Sequence, residues 1–170
     1  MPWLERTVLR RLVRRNPDQW TWLSDLAAKT SGVLWKFGAF GVLATHRRHA
    51  PPTLVHIVRL AAMQVYDCGA CLQIAVESAV RDGVPPEVIR QALEGGNGLC
   101  GADALAYRYG RAIASDDPAL PDLIETASAD LGGAVLGEMA IAAATAGVFS
   151  LTKRGLGIAV SCQKMEIAVR

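Results

Sequence analysis

The segment Asp67-Cys68-Gly69-Ala70-Cys71 stands between two apolar stretches, and it decides the predicted fold. Residues three apart on a helix share one face, so the two thiols would lie one turn from each other. A thiol at a helix N-terminus also meets unpaired N–H groups and the positive end of the helix dipole, which favour the thiolate. Residues 53–65 and 71–82 carry apolar side chains at helical spacing, and Asp67 is a candidate cap for the second stretch. The pattern predicts a pair of thiols at the start of a core helix.

Two cysteines at this spacing have three interpretations: a redox pair, half of a zinc site, or two inert buried thiols. Zinc needs four ligands, usually from a second cysteine pair or a histidine pair. The other cysteines, Cys100 and Cys162, stand singly, and His46 and His49 are separated by two arginines that would repel a cation. We therefore favour the redox pair, and we expect neither a metal nor another cofactor.

The rest of the chain reads as helices, with no strand-like alternation and no repeats. A chain of 170 residues is long enough for one domain with a sizeable core. Proline, glycine and aspartate punctuate the pattern, and further helices are predicted over residues 3–15, 18–30, 31–44, 85–93, 101–114 and 118–131. The predicted fold class is all-α.

Residues 131–151 are almost wholly apolar and long enough to span a bilayer. Glu138 in the first half would be costly in lipid, so we interpret the stretch as a buried helix or a subunit interface. Lys153 and Arg154 follow it, where cations suit the helix dipole. With 51% hydrophobic residues, the chain has more apolar surface than a small domain hides easily, and this predicts an oligomer.

Charge is unevenly distributed along the chain. Residues 1–60 hold ten Lys or Arg and three acids, whereas residues 61–140 hold four and twelve. A basic arm for nucleic acid or anionic lipid is one interpretation; a solvated face that meets an acidic neighbouring subunit is the other. We favour the second, and expect neither nucleic acid nor a membrane as partner. Four cysteines without a secreted disulfide pattern or a visible signal peptide fit a cytoplasmic protein.

The stretch from Thr53 to Leu93 resembles the carboxymuconolactone decarboxylase family, within it the alkylhydroperoxidase D-like branch. The residues that carry the likeness are Val58-Arg59-Leu60-Ala61-Ala62, Cys68-Gly69-Ala70-Cys71, Ala75 to Ala79, Gly83-Val84 and Glu87-Val88-Ile89. Looser likeness extends over residues 35–160. On this basis residues 31–170 are expected to form the family's domain, and residues 1–30 an N-terminal helical arm.

The resemblance implies an all-α helical bundle that assembles into trimers, hexamers or dimers. Active members are thiol peroxidases or disulfide reductases, and a separate dithiol protein would re-reduce the enzyme. Carried over residue by residue, Cys71 would attack the peroxide and Cys68 would resolve the sulfenic acid into a disulfide.

Two positions depart from the pattern of the family. The family's glutamate, twelve residues before the first cysteine, is His56 here, and its histidine, four residues after the second cysteine, is Ala75. Because imidazole titrates near neutral pH, His56 is a candidate base for Cys71. The alternatives are a non-redox helical assembly module of the same fold and a carboxymuconolactone decarboxylase-like lyase, for which neither a base nor an anion site can be assigned.

Overall fold

A computed structural model describes residues 3–15, 17–161 and 167–169, and every regular element within those ranges is an α-helix. The all-α prediction is confirmed. The helices are α1 (Trp3–Arg15), α2 (Pro17–Lys29), α3 (Val33–Ala44), α4 (Pro52–Val65), α5 (Gly69–Arg81), α6 (Pro86–Leu93), α7 (Gly101–Ser115), α8 (Leu120–Leu131) and α9 (Gly133–Gly155).

The chain divides into two compact units, Met1–Leu43 and Ala44–Arg170. The first unit therefore takes in most of α3 as well as α1 and α2, whereas the division drawn from the sequence fell after residue 30. Within it, Leu9 and Leu23 are buried, and the rings of Trp22 and Phe37 pack edge to face with centroids 5.5 Å apart.

Helix α4 is the centre of the second unit, where it packs against α5, α6, α7 and α9. Its apolar residues continue almost all the way round, and nine of its fourteen positions are buried. The closest approach is to α7 at Gly110, where a Cβ atom would lie 2.6 Å from the carbonyl oxygen of Val58. Only glycine lets two backbones pack at this distance.

Helix α9 is long and apolar enough to cross a membrane by length and composition, a test that core helices of soluble proteins also pass. One face of it is buried against α4, α7 and α8 through Met139, Ala142, Ala143 and Ala146. In its most apolar window, 44% of the residues are buried. The sequence analysis interpreted this stretch as a buried helix or a subunit interface, and the buried face of α9 agrees with the first of these.

Glu138 on α9 is buried because it holds the loop that leads into α4. Its carboxylate accepts hydrogen bonds from the backbone N–H groups of Arg48 (2.8 Å), His49 (3.0 Å) and Ala50 (2.8 Å), and Nδ1 of His49 lies 3.0 Å away. These donors, that of Ala50 first, lower the pKa of Glu138 to about 2. Glu138 therefore has a structural role, because it joins the loop at residues 48–50 to α9.

Candidate functional site

The two cysteines lie where the α4–α5 hairpin turns. Cys68 is the N-cap residue of α5 and has an extended backbone, and Cys71 lies in the first turn of the helix. Their Sγ atoms are 2.7 Å apart as free thiols, and the two residues are 0% and 3% exposed. The predicted thiol pair at the start of a core helix is therefore present.

Asp67 does not cap α5 as expected. It adopts a left-handed backbone with φ 49°, and this turns the chain into the helix one residue later, at Cys68. Its carboxylate accepts a hydrogen bond from the hydroxyl of Ser161 at 3.0 Å. The residue therefore links the turn to the C-terminal segment.

The two thiols have opposite acidities. The pKa of Cys68 is lowered to about 6, chiefly by its hydrogen bond with Cys71, and also by the backbone N–H of Cys71 and the charge of Lys153. The same sulfur–sulfur hydrogen bond and burial raise the pKa of Cys71. Two thiols this close share one negative charge, because a second charge would repel the first. The direction of these pKa shifts favours the thiolate on Cys68, whereas the resemblance implied Cys71 as the attacking thiol.

Helix α9 contributes two polar side chains to this region. Ser150 is 0% exposed and Lys153 is 5% exposed, three residues further along. The hydroxyl of Ser150 and the charge of Lys153 each lower the pKa of both thiols. Sequence reasoning missed both residues: Lys153 was assigned only to the end of the apolar helix, and Ser150 was not singled out. A lysine one turn after a serine on an otherwise apolar helix is the signal that could have found them.

Two described parts of the C-terminal region contact α5. The carbonyl oxygen of Val160 accepts a hydrogen bond from the N–H of Gly69 at 2.8 Å. The side-chain amide of Gln73 makes two hydrogen bonds with the backbone of Ala168, one donated at 3.1 Å and one accepted at 2.9 Å. Backbone groups of the C-terminal region therefore bond to the first two turns of the helix that carries Cys71.

The structure does not bring His56 to Cys71. The imidazole is 2% exposed, and its Nε2 lies 2.9 Å from Oδ2 of Asp82 at the far end of α5. Asp82 follows Cys71 by eleven residues, or about 16 Å along a helix axis. At that separation neither a direct hydrogen bond nor one bridging water links His56 to the thiol. The contact that the structure shows for His56 is with Asp82, and its role as a base for Cys71 stays a prediction from the sequence.

The other positions that the sequence analysis named are Ala75, Cys100 and Cys162. Ala75 is buried one turn beyond Cys71, and Cys100 is exposed at the start of α7. Cys162 lies outside the described residues. Within the described ranges, no three His, Cys, Asp or Glu side chains come together as a set that could hold a metal ion.

Comparison with protein-family models, with curated proteins and with solved structures finds no match to this chain. The resemblance to the carboxymuconolactone decarboxylase family stays a prediction from the residues that carry it.

Proposed function

We propose that this chain is a thiol-dependent oxidoreductase, a disulfide reductase or an alkylhydroperoxidase-like peroxidase, whose working group is the pair Cys68 and Cys71. The observation that carries the proposal is the distance of 2.7 Å between two unbonded sulfur atoms at a helix N-terminus. Sulfur atoms this close need only a small movement to reach the bonding distance of about 2.05 Å. The pKa of Cys68, at about 6, supplies a thiolate at neutral pH.

With a disulfide substrate, the Cys68 thiolate attacks one sulfur and releases the other as a thiolate. Cys71 then loses its proton and attacks the Cys68 sulfur, which releases the second substrate thiolate. The substrate gains two electrons, and a bond forms between Cys68 and Cys71. With a hydroperoxide, the thiolate takes the distal oxygen to become a sulfenic acid, the alkoxide is protonated, and attack by Cys71 releases water. A separate dithiol protein would reduce the pair again.

This order reverses the roles implied by the resemblance, because Cys68 attacks and Cys71 resolves. The N-cap residue has the favoured position for a thiolate, since the first-turn N–H groups of α5 point toward it. An alkylhydroperoxidase D-like fold, assembly into dimers, trimers or hexamers, and a cytoplasmic location belong to the same proposal. Exposed Leu151, Ile158 and Val160 support a subunit contact, and sedimentation as a single chain would contradict it.

A non-redox helical assembly module is the second candidate, and the burial of both thiols favours it. Cys68 is 0% exposed and Cys71 is 3% exposed, as expected for inert structural cysteines. A carboxymuconolactone decarboxylase-like lyase has no assigned base, and no observation favours it.

The test is equilibration of the purified protein in glutathione buffers of graded potential, followed by peptide mapping. We expect a reversible disulfide between Cys68 and Cys71, and consumption of a model disulfide or hydroperoxide. Cys68→Ser should lower turnover by about a hundredfold or more, because it removes the nucleophile. The exposed and remote Cys100→Ser is the matched control and should keep full activity. If the two thiols stay reduced at every potential, the assembly module replaces the oxidoreductase.

A further inference from the structure

Helix α3 is an apolar helix that the first unit leaves mostly unburied. Its twelve residues carry one charged side chain, that of Lys36, and all twelve are described. Leu34 is the one residue of α3 that is buried, whereas nine of the fourteen positions of α4 are buried. Twelve residues rise about 18 Å, which is too short to cross a hydrocarbon core about 30 Å thick. A helix of this length and composition usually belongs to a buried core or lies along a membrane interface, and α3 is not buried.

One side of α3 presents large apolar side chains to solvent. Trp35, Ala39 and Val42 follow one another at steps of four and three residues, so they share one face of the helix. Trp35 is 49% exposed and Val42 is 73% exposed, and Leu43 at the edge of this face is 47% exposed. On the opposite side, the ring of Phe37 packs against α2. The α3 face, which consists of Trp35, Ala39, Val42 and Leu43, is therefore an exposed apolar surface of the kind that marks an interaction site.

Helix α1 of the same unit carries exposed arginines. Arg10 and Arg14 follow Arg6 at steps of four residues, and Trp3 precedes Arg6 by three, so the four side chains share one face. All four residues are exposed, and the ion pairs among the described side chains involve none of the three arginines. The first unit as a whole holds seven Lys or Arg and three acids. Its charge therefore favours an anionic partner.

The chemistry of these surfaces distinguishes between the anionic partners. An open cavity of about 520 Å³ on α1 is lined by the aliphatic side chains of Val8 and Leu12 and by Arg11 and Arg14. Guanidinium groups bind phosphate, and indole rings suit the boundary between headgroups and acyl chains. A phospholipid surface offers phosphate and hydrocarbon together, whereas a nucleic acid offers no hydrocarbon to the α3 face. A second copy of the chain would bring two units of the same net charge together.

We propose that the first unit docks on an anionic phospholipid membrane, where the α3 face enters the boundary between headgroups and acyl chains and the arginines of α1 bind lipid phosphates. The sequence analysis considered anionic lipid for the basic N-terminal region and did not favour it. The exposure of Trp35, Val42 and Leu43 supplies the apolar surface that the charge alone lacked. This inference does not depend on the proposed oxidoreductase function, because it involves neither thiol.

The first experiment measures flotation of the purified full-length protein with lipid vesicles. We expect binding to vesicles of phosphatidylcholine mixed with phosphatidylglycerol, binding at least about tenfold weaker to phosphatidylcholine alone, and weaker binding as salt rises. Arg10→Gln/Arg14→Gln should weaken binding to the anionic vesicles by about tenfold or more, because each cation near the surface contributes about fivefold. The matched control is Arg108→Gln/Arg111→Gln, which removes two exposed arginines one turn apart on α7 and should bind as the wild type does.

The second experiment tests the apolar contact at Trp35. We expect Trp35→Ala to weaken binding to the anionic vesicles by about tenfold, because the variant has less apolar surface to transfer from water. Ile124→Ala on α8, which shortens an apolar side chain that is 41% exposed, is the control and should keep the affinity. Lipids with brominated acyl chains quench the fluorescence of a tryptophan that reaches them. Trp35→Phe keeps an aromatic ring at this position, so it should still bind, and the quenching should fall.

Three outcomes would overturn the inference. The wild type may fail to float with anionic vesicles at low salt. It may float while Trp35→Ala and Arg10→Gln/Arg14→Gln bind equally well, and another surface such as α9 would then make the contact. Duplex DNA may displace the vesicles while Trp35→Ala keeps its affinity for DNA, and the arginines would then bind nucleic acid. Circular dichroism checks the fold, and should Trp35→Ala lose helix content, the quenching measured with Trp35→Phe decides the question.

Discussion

A buried ionisable group lies at each end of α5, and its surroundings favour the charged form at one end and the neutral form at the other. At the N-terminal end, Cys68 has its pKa lowered to about 6, so the charged form is favoured. At the C-terminal end, burial lowers the pKa of His56, so the neutral form is favoured, although the hydrogen bond that His56 donates to the Asp82 carboxylate acts in the other direction. The contrast shows that burial alone does not decide the charge of a group.

What differs is the set of partners around each group. Cys68 has a helix N-terminus, a thiol donor and a buried ammonium, all of which favour an anion. His56 has one carboxylate, but also the guanidinium groups of Arg59 and Arg47, which oppose a second positive charge. The partners of Cys68 favour a thiolate, whereas the contact between His56 and Asp82 joins α4 to the C-terminal end of α5.

The largest effect should come from a change that disturbs both ends together. Gly110→Ala places a Cβ atom 2.6 Å from the Val58 carbonyl oxygen and forces α7 away from α4, which carries His56 and packs against α5. We expect the free energy of unfolding to fall by about 3 kcal/mol, at the upper end for overpacking because the clash is with backbone. Gly137→Ala on α9, with nothing within 4 Å, is the matched control and should gain about 0.5–1 kcal/mol from helix propensity. Urea unfolding measures both, and equal values would contradict the close approach.

A smaller effect, confined to one end, should come from His56→Gln. The variant loses the packing of a buried ring, and we expect a cost of about 1–2 kcal/mol. Because His56 lies against Asp82, the titration midpoint of Cys68 should stay unchanged. The exposed His46→Gln serves as control for the loss of an imidazole. A shifted Cys68 midpoint in His56→Gln alone would contradict the separation of the two ends.

The same variant should change how stability depends on pH. The folded-state pKa of His56 lies below its ordinary value of 6.5, so below that pH the unfolded chain binds the extra proton more readily. The wild type therefore loses stability as pH falls below about 6.5, and His56→Gln lacks that part of the slope. The pKa of Asp82 is also lowered, from 3.8, chiefly by the hydrogen bond with His56, so its contribution is present above that value and is lost at lower pH.

The sequence predicted the helices and the thiol pair because both depend on local spacing. It placed the start of α5 at residue 71 rather than 69, since Gly69 and Ala70 carry no apolar signal. It placed His56 on the helix before the thiol pair and suggested Cys71 as its partner, and the contact that the structure shows is with Asp82. In an antiparallel hairpin, a residue far before the turn meets one far after it, and for His56 this is Asp82 rather than Cys71.

The contacts between the C-terminal region and α5 could not be predicted, because backbone groups make most of them. Val160 accepts through its carbonyl oxygen, and Ala168 bonds through both its N–H and its carbonyl oxygen. Because the side chains take no part, the residue types do not predict these contacts. Ser150 and Lys153 were also missed, since their importance depends on where the end of α9 packs. These contacts depend on how segments distant in sequence pack together, and the periodicity of a single segment does not predict that packing.

The smallest effect, confined to the thiol end, should come from Gln73→Ala. Its side-chain amide makes two hydrogen bonds with Ala168, at 3.1 Å and 2.9 Å, and both are lost in the variant. Part-exposed hydrogen bonds contribute about 1 kcal/mol or less each to holding the segment down, so global stability should change little. Both thiols are buried, so a reagent reaches them only after local opening, and we expect the loss of the bonds to Ala168 to make such opening easier.

We therefore expect alkylation of the thiol pair, followed by mass spectrometry, to be about fivefold faster in Gln73→Ala than in wild type. Gln91→Ala is the matched control, because that amide bonds to Glu87 on its own helix and does not touch the C-terminal segment. The titration midpoint of Cys68 should be the same in all three proteins, since Gln73 is expected to change how easily reagents reach the thiols and not the pKa of Cys68. An unchanged alkylation rate in Gln73→Ala would mean that reagents reach the thiols without release of Ala168 from Gln73.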